Sequence, residues 1–211
     1  MDRRIQRTQE ALQTALLDLI QQMPYEQIQI QHITDHAQTA RVTFYRHYST
    51  KDELLLASLD SIYAQMKAAL AGMTALQVLN IQEPSGDFLL FSFVERERRL
   101  VYRLMMGPLS GQIQLRVRHY IVEQVLHVLH KHPKMVGLPL DLIANHVATV
   151  ILGNMLWWLA DMEAAPNSPP TYNAAQMAAL THKMALYGAF AYVGRLDLLP
   201  IPDGVTVGIA P

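Results

Sequence analysis

The side chains with the clearest chemistry lie close together in the sequence, between residues 41 and 51. They combine positive charge with hydrogen-bond donors, as binding to nucleic acid requires: Arg41, Thr43, Tyr45, Arg46, His47 and Lys51. Arginine, lysine, tyrosine and histidine donate hydrogen bonds to phosphate oxygens, and such contacts fix the register of a protein on a duplex. Arg41 and Thr43 come first, and these residue types also read bases, because arginine pairs with guanine and the threonine methyl group packs against thymine. Lys51 begins the next predicted helix, where its charge and the backbone N–H groups can hold one phosphate together.

Three predicted helices position this segment. Apolar residues at spacings of three, four and seven predict an amphipathic helix over residues 3–23, which ends at Pro24. Two short helices follow at 30–37 and 41–47, joined by the turn 38–40. Such a pair behind a longer helix is a helix-turn-helix, whose second helix enters the major groove of DNA. The pattern therefore indicates a DNA-binding regulator.

In the rest of the sequence, apolar residues also recur at helical spacing. A capping box, with Thr50 as N-cap and Glu53 as third helical residue, begins a helix that runs to about residue 70. Further helices are predicted at about 86–95, 97–106, 110–131, 140–162 and 173–194, and no alternating strand pattern is present. We predict an all-α fold with a three-helix DNA-binding domain at 1–66, a helical bundle at 67–195 and an irregular tail at 196–211.

Composition excludes several other classes of site. The chain has no cysteine, which excludes disulfides, thiolate metal sites and cysteine nucleophiles. The net charge is −1, and residues 1–66 hold six basic against eight acidic residues, so positive charge is local rather than general. The sequence begins without an apolar export signal. The most apolar stretch, 147–160, is shorter than the about 20 residues that span a bilayer, so we expect a cytoplasmic protein that does not enter a membrane.

The segment from Arg41 to Leu55 resembles the signature of the TetR family of transcription regulators; it reads RVTFYRHYSTKDELL. The aromatic pair, the His-aromatic step and the Ser/Thr-Lys-acid-acid-Leu step match in order, and the resemblance covers about residues 5–66. The family implies an all-helical homodimer that binds DNA through its N-terminal domain and often binds a small effector through its C-terminal domain. By resemblance, Tyr45, His47 and Lys51 contact phosphates, while Arg41 and Thr43 contact bases or adjacent backbone. We therefore expect a repressor without cofactor, acting on a palindromic operator in double-stranded DNA with half-sites about 34–36 Å apart.

Three positions depart from the family pattern. Gln38 stands in the turn where the family commonly has glycine, and a left-handed conformation costs a residue other than glycine about 1–2 kcal/mol. Val42 stands where glycine often precedes Thr43, and its methyl groups either read thymine or hold the helix away from DNA. Ala40 cannot cap the second helix, which leaves Thr39 as the alternative cap. These departures motivate a second hypothesis, in which a TetR-like helical sensor or co-regulator has lost DNA binding and acts through a protein partner.

By resemblance, the predicted helices at 140–162 and 173–194 form the homodimer. Small residues let helices approach closely, as four-helix packing between two chains requires, and packing within one chain is the alternative. The candidate contact residues are His146, Gly153, Leu156, Met177, Met184 and Gly188.

An effector pocket is expected inside the bundle of residues 55–160. Flexible methionines and aromatic side chains suit an adaptable apolar pocket, and plain core packing is the alternative interpretation. The candidate lining residues are Tyr63, Met66, Phe88, Phe91, Tyr102, Met105, Met106 and Trp157.

One constellation has the spacing of a metal site. Glu123, His127 and His130 share a helix face and can present a carboxylate and two imidazoles to one ion. No fourth ligand is identifiable, so we interpret the three as a solvated or interface face and expect no metal. The sequence shows no nucleophile–base pair and no phosphate-binding glycine loop, so we expect no enzymatic activity.

Overall fold

The structure is a computed structural model that describes residues 3–70, 86–131, 137–164 and 168–192. The regular structure in these residues is helical, which confirms the all-α prediction. The helices are α1 Arg3–Gln22, α2 Ile30–His36, α3 Arg41–His47, α4 Lys51–Leu70, α5 Gly86–Arg96, α6 Arg98–Met106, α7 Ser110–His130, α8 Leu140–Ala164 and α9 Ala174–Tyr192, with a 3-10 turn at Tyr25–Gln27. Each α-helix lies within two residues of its predicted bounds. The predicted tail, 196–211, lies outside the described residues.

The first three helices close over a small apolar core. Leu12 and Leu16 of α1, Ile33 of α2 and Phe44 of α3 are all 0% exposed. Burying an aliphatic or aromatic side chain of this size contributes about 1.5–3 kcal/mol. Helix α3 is therefore held by its inner face, which leaves its outer face available to a partner.

Helix α4 connects this domain to the rest of the chain, because the predicted boundary at 66/67 falls inside it. Helix α1 packs against both α4 and α6. Arg103 of α6 donates a hydrogen bond from Nη1 to the carbonyl oxygen of Ile20, near the end of α1, over 2.6 Å. The domain boundary stays a prediction, and both α4 and the Arg103 contact cross it.

The C-terminal helices pack in three main pairs, α7 with α8, α8 with α9, and α5 with α9. Phe91 of α5 meets Trp158 of α8 edge to face, with ring centroids 5.6 Å apart, and neither side chain is exposed. Nδ1 of His182 on α9 lies 2.6 Å from Oδ2 of Asp87 on α5, in the interior. Aromatic packing and a buried polar pair thus fix α5 against α8 and α9.

Helix α8 is the one described helix whose length and composition alone would allow it to cross a membrane. The apolar stretch 147–160 is part of this longer helix, Leu140–Ala164. Nine of its residues are buried against the rest of the protein: Ile143, Ala144, Val147, Ala148, Ile151, Met155, Trp158, Leu159 and Met162. We therefore interpret α8 as a core helix of the bundle.

Candidate functional site

The turn between α2 and α3 fixes the angle of the helix-turn-helix. Gln38 adopts a φ of 51°, the left-handed conformation expected at the position where the family has glycine. The amide of Gln38 donates to the Asp35 carbonyl oxygen over 3.1 Å, and that of Thr39 donates to the Thr34 carbonyl oxygen over 2.9 Å. Helix α3 begins after Ala40 without a side-chain cap, so Thr39 does not replace the missing cap and serves the turn through its backbone. The turn keeps its shape although Gln38 retains about 1–2 kcal/mol of strain.

Helix α3 has a buried face and an exposed face. Phe44 is 0% exposed and the following Tyr48 is 5% exposed, so positions one helical turn apart point into the core. The residues of the opposite face are exposed: Arg41, Val42, Tyr45 and Arg46. Thr43 and His47 lie between the two faces and are partly buried. Five of the six predicted DNA-contact residues are therefore on one short helix, and three of them face outward.

Arg41 and Tyr45 form one unit on the outer face. The Arg41 guanidinium donates a hydrogen bond from Nη2 to the Tyr45 hydroxyl over 3.3 Å, and its Cζ lies 5.7 Å from the centre of the Tyr45 ring. A guanidinium has five N–H donors, so this bond orients Arg41 and leaves most of its donors for nucleic acid. Val42 is 60% exposed beside this pair, where its methyl groups can meet a thymine methyl.

Lys51 makes contacts that the sequence did not predict. Its ammonium group donates to the carbonyl oxygens of Tyr25, over 2.7 Å, and of Ile28, over 2.8 Å. It also lies 4.3 Å from the centre of the Tyr25 ring, and the Tyr25 hydroxyl bonds the Asp52 carboxylate. Partial burial lowers the pKa of Lys51 from its usual range. Lys51 thus connects the segment before α2 to the start of α4 through hydrogen bonds. The family resemblance implied instead that Lys51 contacts a DNA phosphate.

The start of α4 differs in one detail from the predicted capping box. The Glu53 amide donates to the Thr50 hydroxyl oxygen over 3.0 Å, as predicted. The Glu53 carboxylate accepts from the amide of Ser49, over 2.6 Å, and not from that of the N-cap Thr50. The chain between α3 and α4 is therefore tied one residue earlier, directly behind the tip of α3.

Positive charge is concentrated on α3, although the N-terminal domain as a whole has more acidic than basic residues. Helix α3 contains two arginines and a histidine and no acidic residue. The nearest acidic residues in the sequence already have partners: Asp35 accepts from Gln31, Asp52 from Tyr25, and Glu53 from the Ser49 amide. The positive charge of α3 is therefore not cancelled by ion pairs on its own face.

A second feature is a cavity of about 230 Å³ lined mainly by residues of α4, α5, α6, α7 and α8. Three of the predicted pocket residues line it, Tyr63, Met66 and Met105. Helix α7, which contains none of the predicted pocket residues, supplies the largest share of the lining, including Tyr120 and Gln124.

The other five predicted pocket residues do not line the cavity. Phe91 is buried against Trp158, while Phe88 and Tyr102 pack against the core as partly buried residues. Met106 is 44% exposed and Trp157 is 53% exposed. Their helices turn these side chains away from the cavity, which corrects their assignment as lining residues.

The predicted dimer residues lie on α8 and α9, which pack together. Gly153, Met184 and Gly188 are exposed, and His146 and Leu156 are partly buried. Met177 is 4% exposed and lies in the core of its own chain, so we correct its assignment to a surface between two chains.

Two of the three residues on the predicted histidine face contact other groups of the protein. Glu123 pairs with Lys67 over 2.7 Å, and this contact holds the pKa of the Glu123 carboxyl below its usual range. Nδ1 of His130 lies 2.8 Å from the carbonyl oxygen of Leu126. Within the described ranges, histidine and the acidic residues form no group of three that could hold a metal ion.

Sequence comparison places the helix-turn-helix in a known family. Residues 13–58 match the model of the bacterial regulatory proteins of the tetR family. The chain is 29% identical, over 177 residues, to YxbF of Bacillus subtilis (strain 168), an uncharacterized HTH-type transcriptional regulator. That alignment covers 79% of this chain and only 43% of the relative, so this chain spans less than half the length of YxbF.

Structure comparison extends the likeness to most of the chain. The dihydroxyacetone kinase operon activator DhaS has a TM-score of 0.58 at 16% identity, covering 89% of this chain and 96% of its own. A TetR transcriptional regulator from Streptococcus agalactiae 2603V has a TM-score of 0.59 at 20% identity, covering 87% and 96%. A TetR-like transcriptional regulator from Rhodococcus sp. RHA1 has a TM-score of 0.54 at 18% identity, covering 86% and 94%.

Identities this low establish the fold alone, and the family match concerns the helix-turn-helix at residues 13–58. TetR-family proteins are DNA-binding transcription factors and not enzymes. Residues 13–58 thus match the DNA-binding helices of the tetR family, and most of the chain shares the fold of TetR-like regulators.

Proposed function

We propose that this regulator binds a palindromic operator as a homodimer, through the outer face of α3, and acts as a repressor that a small molecule releases. The observation that supports it most is the exposed, acid-free face of α3, which presents Arg41, Tyr45 and Arg46. Arg46 and Tyr45 are suited to phosphates, while Arg41 and Val42 are suited to base edges.

The test of DNA binding uses the full chain and an operator selected from random duplexes. Binding is measured by fluorescence anisotropy as a function of salt, because each phosphate contact contributes about 0.9 to the slope of log Kobs against log salt. We expect Arg46→Gln to reduce that slope by about 0.9. Arg96→Gln is the matched control, since Arg96 is an exposed arginine with a side chain 69% accessible, on α5.

Two results would count against the proposal. Equal slopes for Arg46→Gln and Arg96→Gln would remove α3 from the interface. Absence of salt-dependent binding to any selected duplex would favour the second hypothesis, a helical sensor or co-regulator that acts through a protein partner.

A surface shared by α8 and α9, with exposed apolar residues, supports the homodimer. Asn154 on α8 donates to Thr181 on α9 over 3.1 Å and lies 3.9 Å from the Met184 sulfur, so the two helices share this surface. Its exposed residues include Leu180, 46% exposed, and Met184, 59% exposed. Contiguous exposed apolar residues mark an interaction surface.

Sedimentation velocity measures the oligomeric state of two variants, each of which replaces an exposed leucine by lysine. We expect Leu180→Lys to shift the protein to monomer, because the charge would be buried between the chains. Leu115→Lys is the control, since Leu115 is 66% exposed on α7 and lies away from this surface. A dimer that survives Leu180→Lys would place the interface elsewhere.

In this proposal, helix α6 couples ligand binding in the cavity to DNA binding. Leu104 and Met105 of α6 line the cavity, and Arg103 of the same helix bonds Ile20 of α1 over 2.6 Å. A ligand that shifts α6 would therefore shift α1 and change the population of dimers able to bind DNA. A reporter gene behind the selected operator then gives the sign: expression that rises when this protein is deleted supports repression, and expression that falls shows activation.

A further inference from the structure

The size, the lining and the unpaired hydrogen-bond donors of the cavity lined by α4 to α8 indicate which kind of ligand it can bind. We propose that it binds a neutral, compact aromatic or alicyclic molecule whose oxygen accepts hydrogen bonds from Tyr120 and Gln124. This inference rests on the proposed function, because it names the class of effector for the cavity assigned there.

The volume sets the size of the ligand. A dry apolar cavity of ~150 Å³ accepts benzene. The cavity here measures about 230 Å³, roughly half as large again. In proportion, it holds a ligand of about nine non-hydrogen atoms, a single ring with a short substituent.

The side chains that line the cavity indicate that most of the ligand is apolar. All five helices contribute apolar side chains, such as Leu59, Phe93, Leu104, Val117 and Met155. Methionine side chains are flexible enough to adapt to a ring of varying outline. A hydrocarbon ring therefore fits most of this surface without leaving a polar group unpaired.

Three of the described lining residues each have a buried polar atom without a hydrogen-bond partner. The hydroxyls of Tyr63 and Tyr120 and Nε2 of Gln124 are inaccessible to solvent and have no hydrogen-bond partner in the described part of the chain. Buried polar groups in proteins are nearly always paired. An amide NH2 group only donates, so its missing partner is an acceptor. Burial raises the pKa of Tyr120 to about 12, and that of Tyr63 rises for the same reason, so both phenols remain donors at neutral pH.

The charged groups of the lining favour a neutral ligand. The Lys67 ammonium is already paired with Glu123 over 2.7 Å. The Asp87 carboxylate is likewise paired, with His182 over 2.6 Å. His127 and Lys131 are exposed at the outer part of the lining and keep their contact with water. An ionised ligand inside would lose its hydration without gaining an unpaired counter-charge.

Four probes of equal size separate these properties. Acetophenone is neutral and has an acceptor, isopropylbenzene has the same shape without one, benzoate is anionic and benzamidine is cationic. Calorimetric titration of the full-length protein should show acetophenone binding more tightly than both ions. The preference for acetophenone over isopropylbenzene should fall about tenfold in Gln124→Met, the equivalent of ~1.4 kcal/mol, and should also fall in Tyr120→Phe.

The matched control is Gln112→Met, because Gln112 lies on the same helix and is exposed outside the cavity lining. It should leave the preference unchanged. The inference is overturned if no probe binds, if benzoate or benzamidine binds more tightly than acetophenone, or if Gln112→Met and Gln124→Met have equal effects. Because each variant is judged by the ratio of its affinities for two probes, differences in probe solubility and any general loss of protein stability cancel in the comparison between variants.

DNA binding, measured on the same preparation without ligand, keeps the two proposals separable. If the protein binds its selected duplex and no probe binds the cavity, the ligand inference fails alone. If acetophenone binds as described but leaves the DNA affinity unchanged, the ligand inference stands and the effector role within the proposed function fails.

Discussion

Replacing Lys51 by methionine tests whether this lysine clasps the fold or binds a phosphate. Methionine keeps a flexible apolar stem and removes the ammonium group that bonds the carbonyl oxygens of Tyr25 and Ile28 over 2.7 and 2.8 Å. Hydrogen bonds that involve a charged group contribute about 1.5–3 kcal/mol each. Lys51 is only partly buried and regains water on unfolding, so we use the lower end for both bonds. The expected loss of unfolding free energy is about 3 kcal/mol, out of the ~5–15 kcal/mol typical of a folded protein.

Two measurements distinguish the roles. Urea unfolding, followed by circular dichroism at fixed protein concentration, should show the loss of about 3 kcal/mol for Lys51→Met and a change below about 0.5 kcal/mol for Arg46→Met. The salt dependence of DNA binding should show the reverse: Lys51→Met lowers the affinity without changing the slope, whereas Arg46→Met reduces the slope by about 0.9. Arg46 is the control because it is an exposed cation of the same surface. Unchanged unfolding of Lys51→Met together with a slope reduced by about 0.9 would refute the clasp and identify Lys51 as a phosphate ligand.

Three further predictions concern backbone strain and titration. Gln38→Gly should raise the unfolding free energy by about 0.5–1 kcal/mol in urea denaturation, because the left-handed strain it removes exceeds the chain entropy it adds; a loss of stability would contradict the strain. Gly107→Ala should cost about 1–3 kcal/mol, because the added Cβ would clash with the Arg103 carbonyl oxygen. Gly111→Ala, with nothing within 4 Å of its Cβ, is the control and should gain up to about 1 kcal/mol. The raised pKa of Tyr120, about 12 against 10.0, means that the unfolded state releases the phenolic proton first, so stability falls as pH rises through this interval. Tyr120→Phe should reduce that alkaline loss, and an unchanged pH profile would show that Tyr120 titrates normally.

The helix-turn-helix was predictable because its signals are local. Pro24 ends one helix, Thr50 and Glu53 begin another, and the intervening apolar residues repeat at helical spacing. The departure at Gln38 was predictable for the same reason, since a turn of fixed length requires a left-handed residue at that position. The partners of Lys51 were not predictable, because they are backbone carbonyl oxygens more than twenty positions earlier in the sequence. Only the packing of α1 against α2 and α4 brings that segment to the start of α4.

The residues that line the cavity could not be predicted from the helical periodicity of the sequence. Helical spacing identifies residues that share a face, but it does not say whether that face meets another helix or an empty space. Phe91 and Met105 are both apolar residues on inward faces; Phe91 meets Trp158, whereas Met105 borders the cavity. Among the described residues around this cavity, the Tyr120 hydroxyl and the Gln124 amide nitrogen are buried without a hydrogen-bond partner. Both belong to α7, whose sequence drew attention only through its histidines. The ligand preference that we propose for this cavity therefore depends on side chains that become recognisable only when five helices come together to line the same space.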